Sequence, residues 1–461
     1  MRLLPGDAAL SRRVADLVHG YLADLPDGPV WRPPRFAPSA VPLAGTPADA
    51  VLDEIAERVM PHPFGNGHPR FFAWVNSPPH PLGVAADAIA AAMNPSVAGG
   101  DHAAVHVERE VVRWFAELAG FPPGAGGLLV SGGSTATLTA FAVARHRAAA
   151  RAGIDVRARG LQGHDRPFVL YLGAEGHGSA RKAAELLGLG SEHVRIVPGR
   201  GEPGRDAAAG HRLDPAALDR MLASEAGIPV AVMATAGTVN TGEIDDLAAI
   251  ADVCAAHGVW LHVDASYGGP AVLLLDRFAD ARAGLARADS VSLDPHKWLY
   301  APVDAGLVLL RDPSLARDAF SLVPPYLRAE GDPWFSEYGF EQTRPFRALK
   351  VWALLKHLGV AGYRALIEHD LAVAAHLAAA VARDSNLELL AHGLSVVCFR
   401  VAGSDELNRQ VLAAVQASGR AYLAGTTVDG AFALRACVVN PATTTADADA
   451  LLSAVRAALP S

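Results

Sequence analysis

From about residue 80 the chain alternates short runs of aliphatic and β-branched residues with helical stretches of ten or more residues. This pattern leaves few ways to fold. The runs are Leu128–Val130, Phe168–Leu172, Val194–Val197, Val230–Ala234, Val259–Val263, Ser290–Leu293 and Gly306–Leu310. They are apolar almost throughout rather than at every second residue, so each expects cover on both faces. A parallel or mixed sheet sandwiched between helices meets that need. Asp214-Pro215 supplies an N-cap and a first-turn proline for one of the helices.

The texture differs at both ends. Helical periodicity over residues 8 to 25 and 47 to 60 is interrupted by Trp31-Arg32-Pro33-Pro34-Arg35, which predicts a helical arm over residues 1–78. Helices of that kind cannot bury an apolar face alone and often wrap a second subunit. A large domain follows over 79–345. A long helix over about 347–382, strand-like Leu394–Val401 and Ala431–Val439 and a final helix then predict a small α+β domain over 346–461.

Composition narrows the function classes. The chain is 51% apolar and 19% charged, enough for a large core and unlike a disordered segment. A net charge of −8 without long Lys/Arg clusters argues against a nucleic-acid partner. Cys254, Cys398 and Cys437 lie far apart and read as core residues, not as a disulfide frame or metal site. No run approaches 18 uninterrupted apolar residues and none resembles a signal peptide, so the expected location is cytoplasmic, with no membrane association.

Four loops at the expected C-terminal ends of strands carry the chemistry, where open α/β sheets place their ligands. Ser131-Gly132-Gly133-Ser134-Thr135 opens a helix, and its amides and hydroxyls suit a phosphate, although Ser and Thr there also serve as ordinary caps. His177 stands between two glycines, free to lie flat on a ligand or to have no role. Asp264 ends an apolar strand, where a carboxylate needs a cationic or hydrogen-bonding partner: a protonated ring nitrogen, or a structural Arg or Lys. Lys297 follows Asp264 by 33 residues in Asp294-Pro295-His296-Lys297-Trp298, between two apolar runs. Its charge is costly there unless it reaches the surface or is removed by imine formation with a carbonyl cofactor. A phosphate cradle, a stacking imidazole, a strand-end aspartate and an imine lysine, in that order, are the parts pyridoxal phosphate requires.

The same residues carry a family resemblance. His262-Val263-Asp264-Ala265-Ser266-Tyr267-Gly268-Gly269 and Pro295-His296-Lys297-Trp298 resemble the group II pyridoxal-phosphate-dependent amino acid decarboxylases. Gly133–Thr137, His177, Thr235-Ala236-Gly237-Thr238, Arg70–Trp74, Arg344–Lys350 and Leu434-Arg435 add to the match. The resemblance implies the fold-type I aminotransferase architecture and a homodimer with its active sites at the interface. It implies that Lys297 holds the cofactor aldehyde, Asp264 pairs with the pyridine nitrogen and His177 stacks on the ring. Gly133, Ser134 and His296 would hold the phosphate, Thr238 would lie near the phenolic oxygen, and Ser266 and Asp294 would complete the cofactor contacts. Phe72, Trp74, Asn76 and Arg435 would form the substrate side, for an aromatic or medium aliphatic amino acid.

In that family a mobile loop carries a tyrosine that returns a proton to Cα. The segment from Tyr326 to Arg344 is shorter than in the aromatic enzymes, and ungapped counting from Arg344 puts Phe335 at the tyrosine's place. Tyr338 takes that place if a gap falls differently. With a phenylalanine, some plant members form an aldehyde with oxygen instead of an amine. The expected reaction is decarboxylation to the amine and CO2, with aldehyde formation as the alternative.

Overall fold

The computed structural model describes residues 8–34, 39–200, 210–322 and 333–459; Arg35 and Tyr326 lie outside them. The central sheet contains β1 (Gly126–Val130), β2 (Phe168–Gly173), β3 (Val194–Val197), β4 (Ile228–Thr235), β5 (Trp260–Asp264), β6 (Ser290–Leu293) and β7 (Gly306–Leu310). Its order is β1-β7-β6-β5-β4-β2-β3. Strands β2 to β6 pair in parallel, while β7 runs antiparallel to both β1 and β6. Every residue of β5, β6 and β7 is buried, as the unbroken apolar runs require. Asp214 caps its helix by accepting from the Ala216 and Ala217 amides.

A second sheet joins β8 (Leu387–Gly393), β9 (Val396–Val401), β10 (Ala424–Val428) and β11 (Ala431–Cys437) in the antiparallel order β10-β11-β9-β8. The helix Ala348–Arg383 serves both units. It breaks at Gly359 (φ 59°), packing on the helices Pro81–Met93 and Ala103–Leu118 of the large unit and on β8, β9 and Thr445–Ala457 of the small one. Its length and composition would suit a membrane span, but here it lies between two cores.

The arm is stitched to the small unit rather than to the central sheet. Phe72 donates its N–H to the Tyr422 carbonyl at 2.7 Å and accepts from the Cys437 N–H at 2.8 Å, with its ring in the small unit's core. Further out, none of the residues of the arm helices Ala8–Asp24 and Ala48–Glu54 is buried.

Two polar anchors fix the parts that carry the loops. The Arg344 guanidinium, 1% exposed, donates to the Val97 carbonyl at 2.9 Å and to the Glu108 carboxylate, and lies 5.0 Å from the Phe335 ring centroid. Glu108 also accepts the Leu129 N–H, so the pair joins the helix Ala103–Leu118 to β1. The second anchor is Asp370 on the long helix. Its Oδ2 accepts Trp298 Nε1–H and Tyr300 O–H, each at 2.8 Å, clamping the turn that follows Lys297. Burial lifts the Asp370 carboxyl to about 7, with the two donors only partly opposing.

Arg344→Met leaves the buried Glu108 carboxyl without its cation, and is expected to cost about 3–5 kcal/mol in urea unfolding. Asp370 should give a pH signature. Its carboxyl titrates higher folded than unfolded, so the folded protein binds more protons between roughly pH 4 and pH 7. Stability measured against Asp370→Asn should therefore fall as pH rises through that window, by at most about 1.4 kcal/mol per pH unit.

Candidate active site

The carboxyl ends of β1, β2, β4, β5 and β6 open on one cavity of about 560 Å³. At the end of β6 the chain turns sharply, with the Lys297 N–H donating to the Asp294 carbonyl at 2.9 Å. The turn is pinned on one side by His296, whose Nδ1 lies 2.7 Å from the Ala305 carbonyl, and on the other by Trp298, which stacks on Tyr267 at 5.3 Å. Lys297 Nζ thereby meets Asp294 Oδ2 at 2.8 Å. Burial works against the ammonium, but Asp294 and Asp264 more than offset it and raise its pKa.

Asp264 ends β5 at the register that sets it beside Ser292. Its Oδ1 accepts the Ser266 N–H at 3.1 Å and the Ser292 hydroxyl at 3.0 Å. Burial would push this carboxyl up; Lys297 and the Ser266 bonds together hold it below its ordinary value, so it is an ionised group with 8% exposure. His262, two residues earlier on the same strand face, is driven by burial down to about 4 and is neutral.

The cradle is made by close approach. A Cβ on Gly133 would lie 2.4 Å from Ser266 Oγ and 3.0 Å from Asp294 Oδ2, so only glycine lets the helix start come this near to the ends of β5 and β6. Ser134 follows it at the cavity wall, and His296 faces the same glycines. His177 is held by Ser179, whose N–H and hydroxyl lie 3.2 and 2.8 Å from Nδ1. With Nδ1 accepting, the neutral ring carries its proton on Nε2.

Opposite the cradle, Trp74 (φ 53°) stacks on Phe64 at 5.1 Å and stays 44% exposed. Arg435 enters from β11, donating to the Asn240 carbonyl and the Trp74 carbonyl, each at 3.1 Å. Asn76, Val239, Val303 and Ala424–Thr426 complete this side.

The cavity thus collects Gly133, Ser134, His177, Asp264, Ser266, Asp294, His296, Lys297, Trp74, Asn76 and Arg435. Four expected residues are elsewhere. The Thr238 hydroxyl is spent within its own turn, on Thr241 and the Glu243 N–H, and Thr235, three residues earlier at the end of β4, lines the cavity instead. Phe72 points into the small core. Phe335 is buried beneath Arg344, and Tyr338 packs half-buried against the large core; neither lines the cavity of its own chain. Asn240 was missed: its backbone carbonyl is the working atom, which a side-chain pattern does not reveal. Ala424–Thr426 were missed because they are small and lie on a strand not expected.

The donor set fits pyridoxal phosphate: an amine, an ionised buried carboxylate, a held imidazole and a glycine-lined helix start. The family model described as pyridoxal-dependent decarboxylase conserved domain matches residues 33–402. An aromatic-L-amino-acid decarboxylase of Bacillus atrophaeus is 34% identical over 410 residues, covering 85% of this chain and 81% of that protein. An L-2,4-diaminobutyrate decarboxylase of Rhizobium meliloti (strain 1021) is 34% identical over 420 residues, covering 88% and 80%. The crystal structure of Oryza sativa TDC with PLP and tryptamine superposes with a TM-score of 0.91 at 27% identity, covering 99% of both chains. This chain belongs to the pyridoxal-dependent decarboxylase family, as a pyridoxal-phosphate-dependent amino acid decarboxylase.

Proposed function

We propose that the cavity removes CO2 from an L-amino acid with an aromatic or medium aliphatic side chain, and that Lys297 is the residue that binds the cofactor covalently. The observation that carries this reading is the position of Lys297 Nζ, inside the cavity wall between the buried carboxylates Asp264 and Asp294. Pyridoxal phosphate, when bound, supplies a conjugated carbonyl system that accepts the electron pair left by the departing CO2.

The protein's own groups set the conditions for that step. Asp264, ionised and buried, would pair with the cofactor's pyridine nitrogen and favour its protonated form. His177, locked by Ser179, presents a flat face for the ring, while Gly133, Ser134 and His296 take the phosphate. Lys297 would hold the cofactor through its amine, which the cavity leaves within reach of an incoming substrate amine. Arg435 has two donors committed to backbone carbonyls, so it can orient a substrate carboxylate without closing a full bidentate pair around it. That restraint suits the reaction, because an anion held too well resists leaving as neutral CO2. Trp74, Val239 and Val303 offer apolar surface to the side chain, which supports the choice of substrate class.

We further propose a homodimer, supported by the exposed apolar residues of the arm helices, among them Val14, Val18 and Val51. Tyr338 is the proton donor this reading favours, delivered to the partner's site. Phe335 is a buried core residue under Arg344 with no proton to give, whereas Tyr338 carries a hydroxyl, and this favours the amine over the aldehyde as product.

Lys297→Ala should abolish cofactor fixation by borohydride and the visible absorption of the bound cofactor. Asp264→Asn should keep the fold by circular dichroism but lower kcat on the order of 10³-fold. Amine and CO2 should appear in equal amounts without oxygen uptake. Tyr338→Phe should lower amine formation and raise oxygen uptake. Oxygen consumption by the unmodified enzyme, with aldehyde as product, would overturn the amine assignment.

A further inference from the structure

Asp294 sets a charge problem that Asp264 does not. Its side chain is 3% exposed and packs on the helix start: a Cβ on Gly133 would meet Oδ2 at 3.0 Å, and one on Gly132 would meet Oδ1 at 3.9 Å. Oδ2 is paired with Lys297, whereas Oδ1 is buried without any hydrogen-bond partner. The charged or titratable groups facing it are Lys297 and His296 (Nε2 at 3.9 Å) from its own turn, and Asp264 from β5 by way of Lys297. Gly133 and Gly132 at the helix start pack against its two oxygens, and Ser266 Oγ approaches the same Gly133.

The cradle that suits a phosphate and the Asp294 carboxyl therefore occupy the same few ångströms. Two anions in a site this dry do not both remain fully charged. The ammonium paired with Asp294 is also the amine that would bind the cofactor, so it is not free to neutralise a second anion. An orphaned carboxylate oxygen at a phosphate cradle is a repulsive contact; the same oxygen carrying a proton is a donor.

We infer that Asp294 takes up a proton when the cofactor loads, and that its Oδ1–H then donates to the cofactor phosphate. The step is a protonation: one solvent proton bonds to Oδ1, no covalent bond breaks within the protein, and nothing is oxidised or reduced. The inference rests on the phosphate reading of the cradle given above. A binding step that takes up a proton weakens as pH rises, by up to about tenfold per pH unit. Asparagine at this position would supply a donor without that linkage.

The test is calorimetric titration of the apoenzyme with pyridoxal 5′-phosphate near pH 8, in buffers of different ionisation enthalpy. The unmodified protein should take up about one proton more than Asp294→Asn. Infrared difference spectra, loaded minus apo, should show a protonated-carboxyl band that is absent in Asp294→Asn and shifts with 13C-aspartate labelling. The labelled native protein gives that result even if the variant fails to fold. Phosphorus NMR should report a dianionic phosphate in both proteins. Equal proton uptake with no labelled carboxyl band overturns the inference, as does a monoanionic phosphate in the native protein. Failure of the underlying reading looks different: Gly133→Ala and Ser134→Ala would then leave cofactor affinity unchanged.

Discussion

Two buried carboxylates, Asp264 and Asp294, flank the partly buried ammonium of Lys297 at the ends of two adjacent parallel strands, and much of the surrounding architecture keeps the three in register. Pairing of Asp264 with Ser292 aligns β5 and β6 so that the serine hydroxyl reaches the carboxylate. The turn after β6 brings Lys297 back toward Asp294, and Asp370 clamps the residues that follow it from the long helix. A lone ammonium in this position would be expelled or neutralised. With two carboxylates beside it, it stays charged and positioned until a carbonyl arrives.

The central sheet was legible in the sequence because strands buried on both faces leave no polar alternation to misread, the edge strand β3 with its exposed Ile196 being the exception. The runs around Leu128, Phe168, Val194, Val230, Val259, Ser290 and Gly306 all became strands. The small sheet was less visible. β10 is Ala-Gly-Thr-Thr-Val, with only its two ends buried, and β8 alternates irregularly between buried and exposed positions. Strands of that kind are held by their neighbours rather than by their own composition.

The site divided along similar lines. Residues whose chemistry forces a location were found: a carboxylate at the end of an apolar strand, a lysine in a buried turn, glycines at a helix start. Residues whose location depends on a local rotation were not. Phe72 and Trp74 are two apart, yet the first enters the small core and the second, at positive φ, turns to the cavity. Thr235 rather than the expected Thr238 lines the cavity, because the turn at Gly237 (φ 103°) consumes the later hydroxyl. The Arg344–Lys350 segment, part of the family resemblance, is explained by structure: Arg344, Arg347 and Lys350 pair with Glu108, Asp304 and Asp87.

Arg435 has a mechanical meaning as well as a chemical one. Rooted in the small unit, it binds the backbone of the large unit at Asn240 and of the arm at Trp74. Three stretches of chain far apart in sequence are riveted by one guanidinium at the mouth of the cavity. A hinge motion that swung the small unit away would have to break both bonds at once and strip this charge of its partners. Substrate entry is therefore better served by movement of side chains at the rim than by opening between the units, and Arg435 is kept at a set position relative to the strand ends that form the cradle.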